Sequence, residues 1–398
     1  MTNKLQGKNA FYIDTYAQGS YHEMFNSSLI LMCSLIFDKV ECRLSKSSFE
    51  AFKNLIGEAV PHNINYQDVF VIKGQGRYDL LFRYLFSTFQ NMRYLIAVPK
   101  DSVLIFPYNN LFSLRVLNFF NKIFKKKILI FCHGEMEGIV TDLKVGGFLH
   151  RMLIRLSQDF FLNPNVTISD GIHFSIMGER IHKNLAEILS RDKISKFVSI
   201  DHSYIFKSTE EVNLKEKDKL LRIGTVGLLN ETKGMMGFIE FVNKINPLYK
   251  QKLNISVTGK IEKNAQLLSS LGIDIAPQDQ IISRNEYNKR IEDLDILLFF
   301  YPKDSYKITA SGAIMDAIFQ RKTILALHND YFEYVFDKFG KFGYLVNSIA
   351  EMENLLYQLI DTKENINVEF DTLQEKFSPQ VISLQLLSEL RRIGYLNS

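Results

Sequence analysis

Across residues 222–327, short apolar runs alternate with amphipathic stretches, and few arrangements other than a parallel sheet layered by helices use such a pattern. Residues 222–229 (RIGTVGLL) read as a buried strand. Residues 233–245 read as a helix with Met235, Phe238, Ile239, Val242 and Ile245 along one face and Pro247 stopping it. A strand at 253–259, a helix at 261–271, a short strand at 281–282 and a helix at 286–294 follow. The unbroken apolar run 295–301 (DILLFFY) reads as a central strand, 312–320 as a helix and 323–327 as the next strand. The predicted class is α/β, and this half is one doubly wound sheet.

The first half carries strand candidates at 10–14, 68–72, 102–106, 127–131 and 165–168, with helical patterns between them. Residues 207–219 (KSTEEVNLKEKDK) are charge-rich with few apolar side chains, the composition of an interdomain linker. The expected division is 1–206, linker 207–219, 220–378, and a terminal helix in 379–398 with Val381, Leu384, Leu387 and Leu390 on its apolar face. At 398 residues, two lobes are the natural size for such a chain.

Composition narrows the function. A net charge of +4 is small for this length, so nucleic acid is not an expected partner. Cys33, Cys42 and Cys132 are odd in number and lack metal-ligand spacing, which suits reduced thiols in the cytoplasm. The longest apolar-rich stretch, 29–37, is too short to cross a bilayer. With 18 Tyr, 32 Phe and no Trp, aromatic surface is plentiful and serves core filling at least as readily as sugar stacking.

Chemistry concentrates in two stretches of the second half. In 301–327 (YPKDSYKITASGAIMDAIFQRKTILAL) a strand ends, a polar loop follows, and Ala310, Ser311, Gly312 and Ala313 open a helix with little side-chain bulk. Its first N–H groups are uncovered, and with the positive end of the helix dipole they suit a phosphate. Tight helix packing would use the same small residues. In 224–234 (GTVGLLNETKG), Gly227 ends a strand where backbone can approach a ligand, and Lys233 brings a point charge; a plain turn with a solvated lysine is the alternative.

On these residues the second half resembles the donor domain of GT-B glycosyltransferases. VGLLNETKG is similar to their glycine-then-lysine turn, and YKITASGAIMDAIFQRKTILAL to the small-residue and acidic pattern of bacterial polysaccharide glycosyltransferases. The resemblance implies two Rossmann-like domains facing a cleft, with the terminal helix crossing back to the first. It implies a hexose or N-acetylhexosamine moved from a nucleoside-diphosphate sugar to a glycan or lipid-linked glycan. Gly227, Lys233, Lys307, Ser311 and Gly312 would hold the donor, and Asp316 its ribose hydroxyls; a helix carboxylate favoured by the dipole is the alternative for Asp316. No cofactor and no metal are expected. Where many retaining members carry an arginine after the turn glycine, Leu228 stands here, with Lys307 or Arg284 as substitutes; where they carry two glutamates, this chain has Ile308 and Asp316. A sugar-nucleotide epimerase and a non-catalytic subunit of the same fold are the rival readings.

In the first half, ILIFCHGEMEG ends a strand in His133, Glu135 and Glu137, and the resemblance gives a histidine at this place. His133 and Glu135 are candidates to take a proton from an acceptor; a core histidine beside exposed carboxylates is the alternative. Asp14, His22 and Glu23 are further candidate bases around the loop that bears Gly19, and Ser169, Asp170 and Gly171 are expected on the same rim. Basic and aromatic residues interleave in 77–93 and 111–127, which suits peripheral contact with the inner face of a membrane, or equally a buried helix with a solvated lysine cluster.

Overall fold

The computed structural model describes residues 8–19, 21–57, 60–74, 76–143, 147–206, 220–279, 282–363 and 366–397. The linker expected at 207–219 and Ile281 of the expected short strand lie outside the described residues. The chain divides into two compact units. The first takes in the chain up to Ile205, Ile308–Ala310 and the chain from Phe377 onward; the second takes in Phe206–Lys307 and Ser311–Lys376.

The first unit runs β1 (Asn9–Ile13), α1 (Glu23–Ile36), β2 (Lys39–Leu44), α2 (Lys46–Ile56), β3 (Ile64–Asp68), α3 (Arg77–Ala97), β4 (Val103–Phe106), α4 (Leu111–Phe124), β5 (Lys127–Phe131), α5 (Phe148–Phe161), β6 (Ile172–Met177), α6 (Glu179–Ile188), α7 (Arg191–Ile194) and β7 (Phe197–Ile200). The second runs β8 (Leu221–Val226), α8 (Met235–Lys244), α9 (Pro247–Lys250), β9 (Leu253–Thr258), α10 (Ala265–Ser270), β10 (Asp274–Ile275), α11 (Arg284–Glu292), β11 (Ile296–Phe299), α12 (Gly312–Phe319), β12 (Thr323–Leu327), α13 (Asp330–Phe339), β13 (Gly343–Val346), α14 (Ile349–Thr362) and α15 (Phe370–Lys376). A last helix, α16 (Pro379–Arg392), belongs to the first unit.

Both sheets are parallel throughout, in the orders β3-β2-β1-β4-β5-β6-β7 and β10-β9-β8-β11-β12-β13. Each order reverses direction once, between β1 and β4 and between β8 and β11, and ligands of open α/β sheets bind at such switch points beyond the strands' carboxyl ends. Helices begin where the sequence offers a cap: Ser45, Asn110, Ser283 and Ser378 each accept a backbone N–H of α2, α4, α11 and α16. In the first unit α1 and α16 share a core with the sheet, in which Tyr12, Leu29, Cys33 and Phe37 meet Ile382, Leu386 and Leu390.

Several sequence expectations change. β5 and β12 begin and end where expected, but 165–168 is not a strand. There the Asn118 side chain satisfies the backbone, donating to the Thr167 carbonyl (2.9 Å) and accepting from the Ser169 N–H (2.7 Å), and the strand follows as β6. The strand expected at 68–72 is β3, four residues earlier. The small strand of the second unit is β10, before the place expected. β2 was not anticipated: its charged residues alternate outward, with Glu41 bridging Lys39 and Arg43, while Val40, Cys42 and Leu44 face inward. The buried face of α16 is Ile382, Leu386 and Leu390, while Leu384 is exposed.

Candidate functional site

In the second unit two glycine turns meet at the carboxyl ends of β8 and β9. Gly227 (φ 80°) donates its N–H to the Thr258 carbonyl (2.8 Å). Gly259 (φ 134°) lies so close behind that a Cβ there would stand 2.1 Å from the Gly227 carbonyl oxygen. Asn230 then folds a short 3-10 turn, Glu231–Lys233, by accepting the Lys233 N–H (3.1 Å). Gly234 (φ 77°) leads into α8 against β11, where a Cβ would lie 1.8 Å from the Phe300 carbonyl oxygen. These turns fix the backbone on which Lys233 stands.

The Lys233 ammonium lies 5.7 Å from the Tyr301 ring and 6.0 Å from the Tyr306 ring, and the two rings stack at 4.7 Å. Burial pulls its pKa down, but the two tyrosine hydroxyls beside it more than compensate and the net shift is upward, so Lys233 is a cation at any working pH. Tyr301 continues the chain of contacts, its hydroxyl 3.3 Å from that of Ser311. Ser311 is the N-cap of α12, yet its side chain caps no helix N–H, and no atom lies within 4 Å of where a Gly312 Cβ would be. A fixed cation and an uncapped helix N-terminus thus occur on one switch point of the second unit.

The other expected donor residues are placed differently. Asp316 is buried one turn into α12, with one carboxylate oxygen taken by Arg284 (2.8 Å) and the other by Tyr287 (2.9 Å). Arg284 is thereby charge-matched. Lys307 is on the exposed loop before α12, paired with Asp304 at 2.8 Å.

In the first unit Asp14 follows β1 and is buried. Its Oδ1 accepts the N–H groups of Tyr16 (3.0 Å) and Ala17 (2.8 Å), so it builds the turn leading to Gly19 (φ 56°). Burial raises its pKa and those bonds pull it back. His22 (φ 51°) opens α1 on the surface, where its ring stacks on that of His133 at 4.9 Å; Glu23 begins the helix beside it. His133 ends β5 with Nε2 2.9 Å from the Pro107 carbonyl, which can only accept, so Nε2 carries the proton and Nδ1 is left as the acceptor. Burial, then His22 and His202, hold its pKa well below the usual value, against the Pro107 bond; the ring is neutral.

Glu135 accepts the His133 N–H (2.9 Å), and burial pushes its pKa up to about 7. Glu137 is no exposed carboxylate: it accepts the Ile308 N–H (3.4 Å), and Thr309 donates to the His133 carbonyl (3.3 Å). The rim expected to include Ser169, Asp170 and Gly171 does not. They precede β6 and so lie at the amino edge of a parallel sheet, opposite Asp14 and His133. There Asp170 pairs with Lys196 (2.9 Å), and the Gly171 carbonyl accepts the Tyr395 hydroxyl (2.6 Å).

The tyrosines were not read as site residues. Tyr16 and Tyr108, each just past a strand at the first switch point, stack at 4.5 Å, and Tyr84 joins them through a hydroxyl contact with Tyr108 (2.9 Å). Their signal is positional, an aromatic within a few residues of a strand's carboxyl end, as in IFPYNN and LFFYPKDSY. Among the described residues no group of three or more His, Cys, Asp or Glu is arranged to hold a metal ion.

No family model and no curated protein sequence matches the chain. Solved structures do match over nearly the whole length. TarM has a TM-score of 0.62 at 10% identity, covering 99% of each chain. Anabaena HepE, in complex with UDP-glucose, has a TM-score of 0.58 at 12% identity, covering 97% of this chain and 99% of that one. WaaG, a glycosyltransferase involved in lipopolysaccharide biosynthesis, has a TM-score of 0.56 at 12% identity with the same coverage. At such identities the likeness is one of fold. Two all-parallel, doubly wound units and these full-length matches make this a chain of the GT-B fold.

Proposed function

We propose that the protein is a glycosyltransferase that moves a hexose or N-acetylhexosamine from a nucleoside-diphosphate sugar to a glycan or lipid-linked glycan in surface polysaccharide synthesis. The observation that carries this reading is Lys233, a permanent cation held by Tyr301 and Tyr306 on the same switch point as the uncapped start of α12. When the bond between the anomeric carbon and the diphosphate oxygen breaks, negative charge grows on the leaving phosphate. Lys233 and the first N–H groups of α12 are the groups that would stabilise it. Formation of the new bond releases the acceptor's hydroxyl proton, for which His133 Nδ1 and Glu135 are the proposed receivers. Gly227 lets backbone approach the donor. The UDP-glucose held by HepE and the lipopolysaccharide role of WaaG support the donor and acceptor classes.

Calorimetric titration with UDP, GDP and their common sugars tests the reading. Lys233→Ala is expected to weaken the best ligand by about 1.5–3 kcal/mol, roughly ten- to a hundredfold, as for loss of a hydrogen bond to a charged group. Gly312→Trp, whose side chain enters the open space at the helix start, should abolish binding. If no nucleotide binds the native protein, the reading fails and a non-catalytic role takes its place.

A further inference from the structure

Two helices of the first unit carry large apolar side chains on both faces: α4 buries Leu111, Leu114 and Leu117 and α3 buries Tyr84 and Leu95, yet each also turns apolar residues to water. α3 turns Ser87, Gln90 and Asn91 inward, where Asn91 accepts the Thr15 hydroxyl (2.8 Å) and donates to Ser113 of α4 (3.4 Å), and Asn110 reaches Ser87. Outward it turns Tyr78, Phe82, Leu85 and Phe89, spaced four, three and four residues apart, which is one helical stripe. α4 packs alongside and adds Phe119 and Ile123. All six side chains are half exposed or more. Water penalises such a face at about 25 cal/mol per Å² of apolar surface, so its natural state is covered.

Charge identifies the cover. Residues 77–127 hold nine basic and two acidic side chains, more positive than the net +4 of the whole chain. Some are engaged within the protein: Arg115 pairs with Asp159, Arg83, Lys126 and Lys127 reach backbone carbonyls, and Lys122 donates to the Thr167 hydroxyl (2.8 Å) while staying at the surface. Arg93, Lys122 and Lys125 are exposed. We propose that the α3–α4 face docks on an anionic lipid surface, the aromatic stripe entering the headgroup boundary and the cations meeting lipid phosphates. A second copy of the same face would bring two cationic patches together. Among the described residues no helix is long and apolar enough to cross a membrane. The proposal goes beyond the transfer reaction and requires no nucleotide.

Co-sedimentation with vesicles tests it without any substrate. The native protein should pellet with vesicles of phosphatidylcholine and phosphatidylglycerol, much less with phosphatidylcholine alone, and less as salt is raised. Phe82→Ser with Phe89→Ser, and separately Arg93→Glu with Lys122→Glu and Lys125→Glu, should each lower the partition roughly tenfold or more while keeping the native melting temperature. The proposal is overturned if the native protein stays in solution with anionic vesicles, or if both variants partition as it does. It is overturned equally by a native dimer, formed without lipid, that the serine variant dissolves.

Discussion

Glu135 titrates near neutrality because burial opposes its charge more than the His133 N–H supports it. Two pH effects follow. A carboxylate that takes the acceptor's proton must be ionised, so kcat/KM should rise with pH through about 7, and Glu135→Gln should remove that limb. For stability, the folded pKa lies above the ordinary 4.5, so the contribution is intact below about 4.5 and is lost as pH rises through about 7. Glu135→Gln should therefore melt higher than the native protein above pH 7 and equally with it near the lower limit. A melting difference independent of pH would refute the assignment. Asp14 is a different kind of acid. Two backbone N–H groups occupy its Oδ1, so Asp14→Asn is expected to disturb the loop before it disturbs any proton transfer.

Turns and tails decide where the elements go. Gly234→Ala would place a Cβ against the Phe300 carbonyl at a left-handed φ, and is expected to destabilise the protein by about 2 kcal/mol or more in thermal or denaturant unfolding. An unchanged melting temperature would show that the loop relaxes freely. Leu386→Ala on α16, fully buried, should cost about 2–5 kcal/mol. The sequence was legible where strands are unbroken apolar runs: β5 and β12 have the bounds their composition predicts. It was opaque at β2 and β3, whose polar residues alternate along a partly solvated layer, and at 165–168, where a side chain from α4 takes the place of a neighbouring strand. Of the proposed donor residues, Lys233, Ser311 and Gly312 stand out in the sequence because glycine and small-residue turns leave a mark. The partners Tyr301 and Tyr306 were not, since one tyrosine among 18 is distinguished only by the fold around it.

The charge distribution of the molecule shapes its chemistry. The proposed donor site uses an ammonium group and helix N–H groups, so transfer is expected to continue in the presence of a chelator; complete loss of turnover, restored by a divalent ion, would contradict that design. The return of residues 377–397 to the first unit has a separate consequence, one of time rather than geometry. During synthesis the second unit has all its strands by β13, whereas the first waits for Ile382, Leu386 and Leu390 to fill a core whose other walls were made much earlier. The half begun first is finished last. A nascent chain interrupted before α16 would thus present an open hydrophobic trough in its first unit, the kind of surface on which chaperones and proteases act.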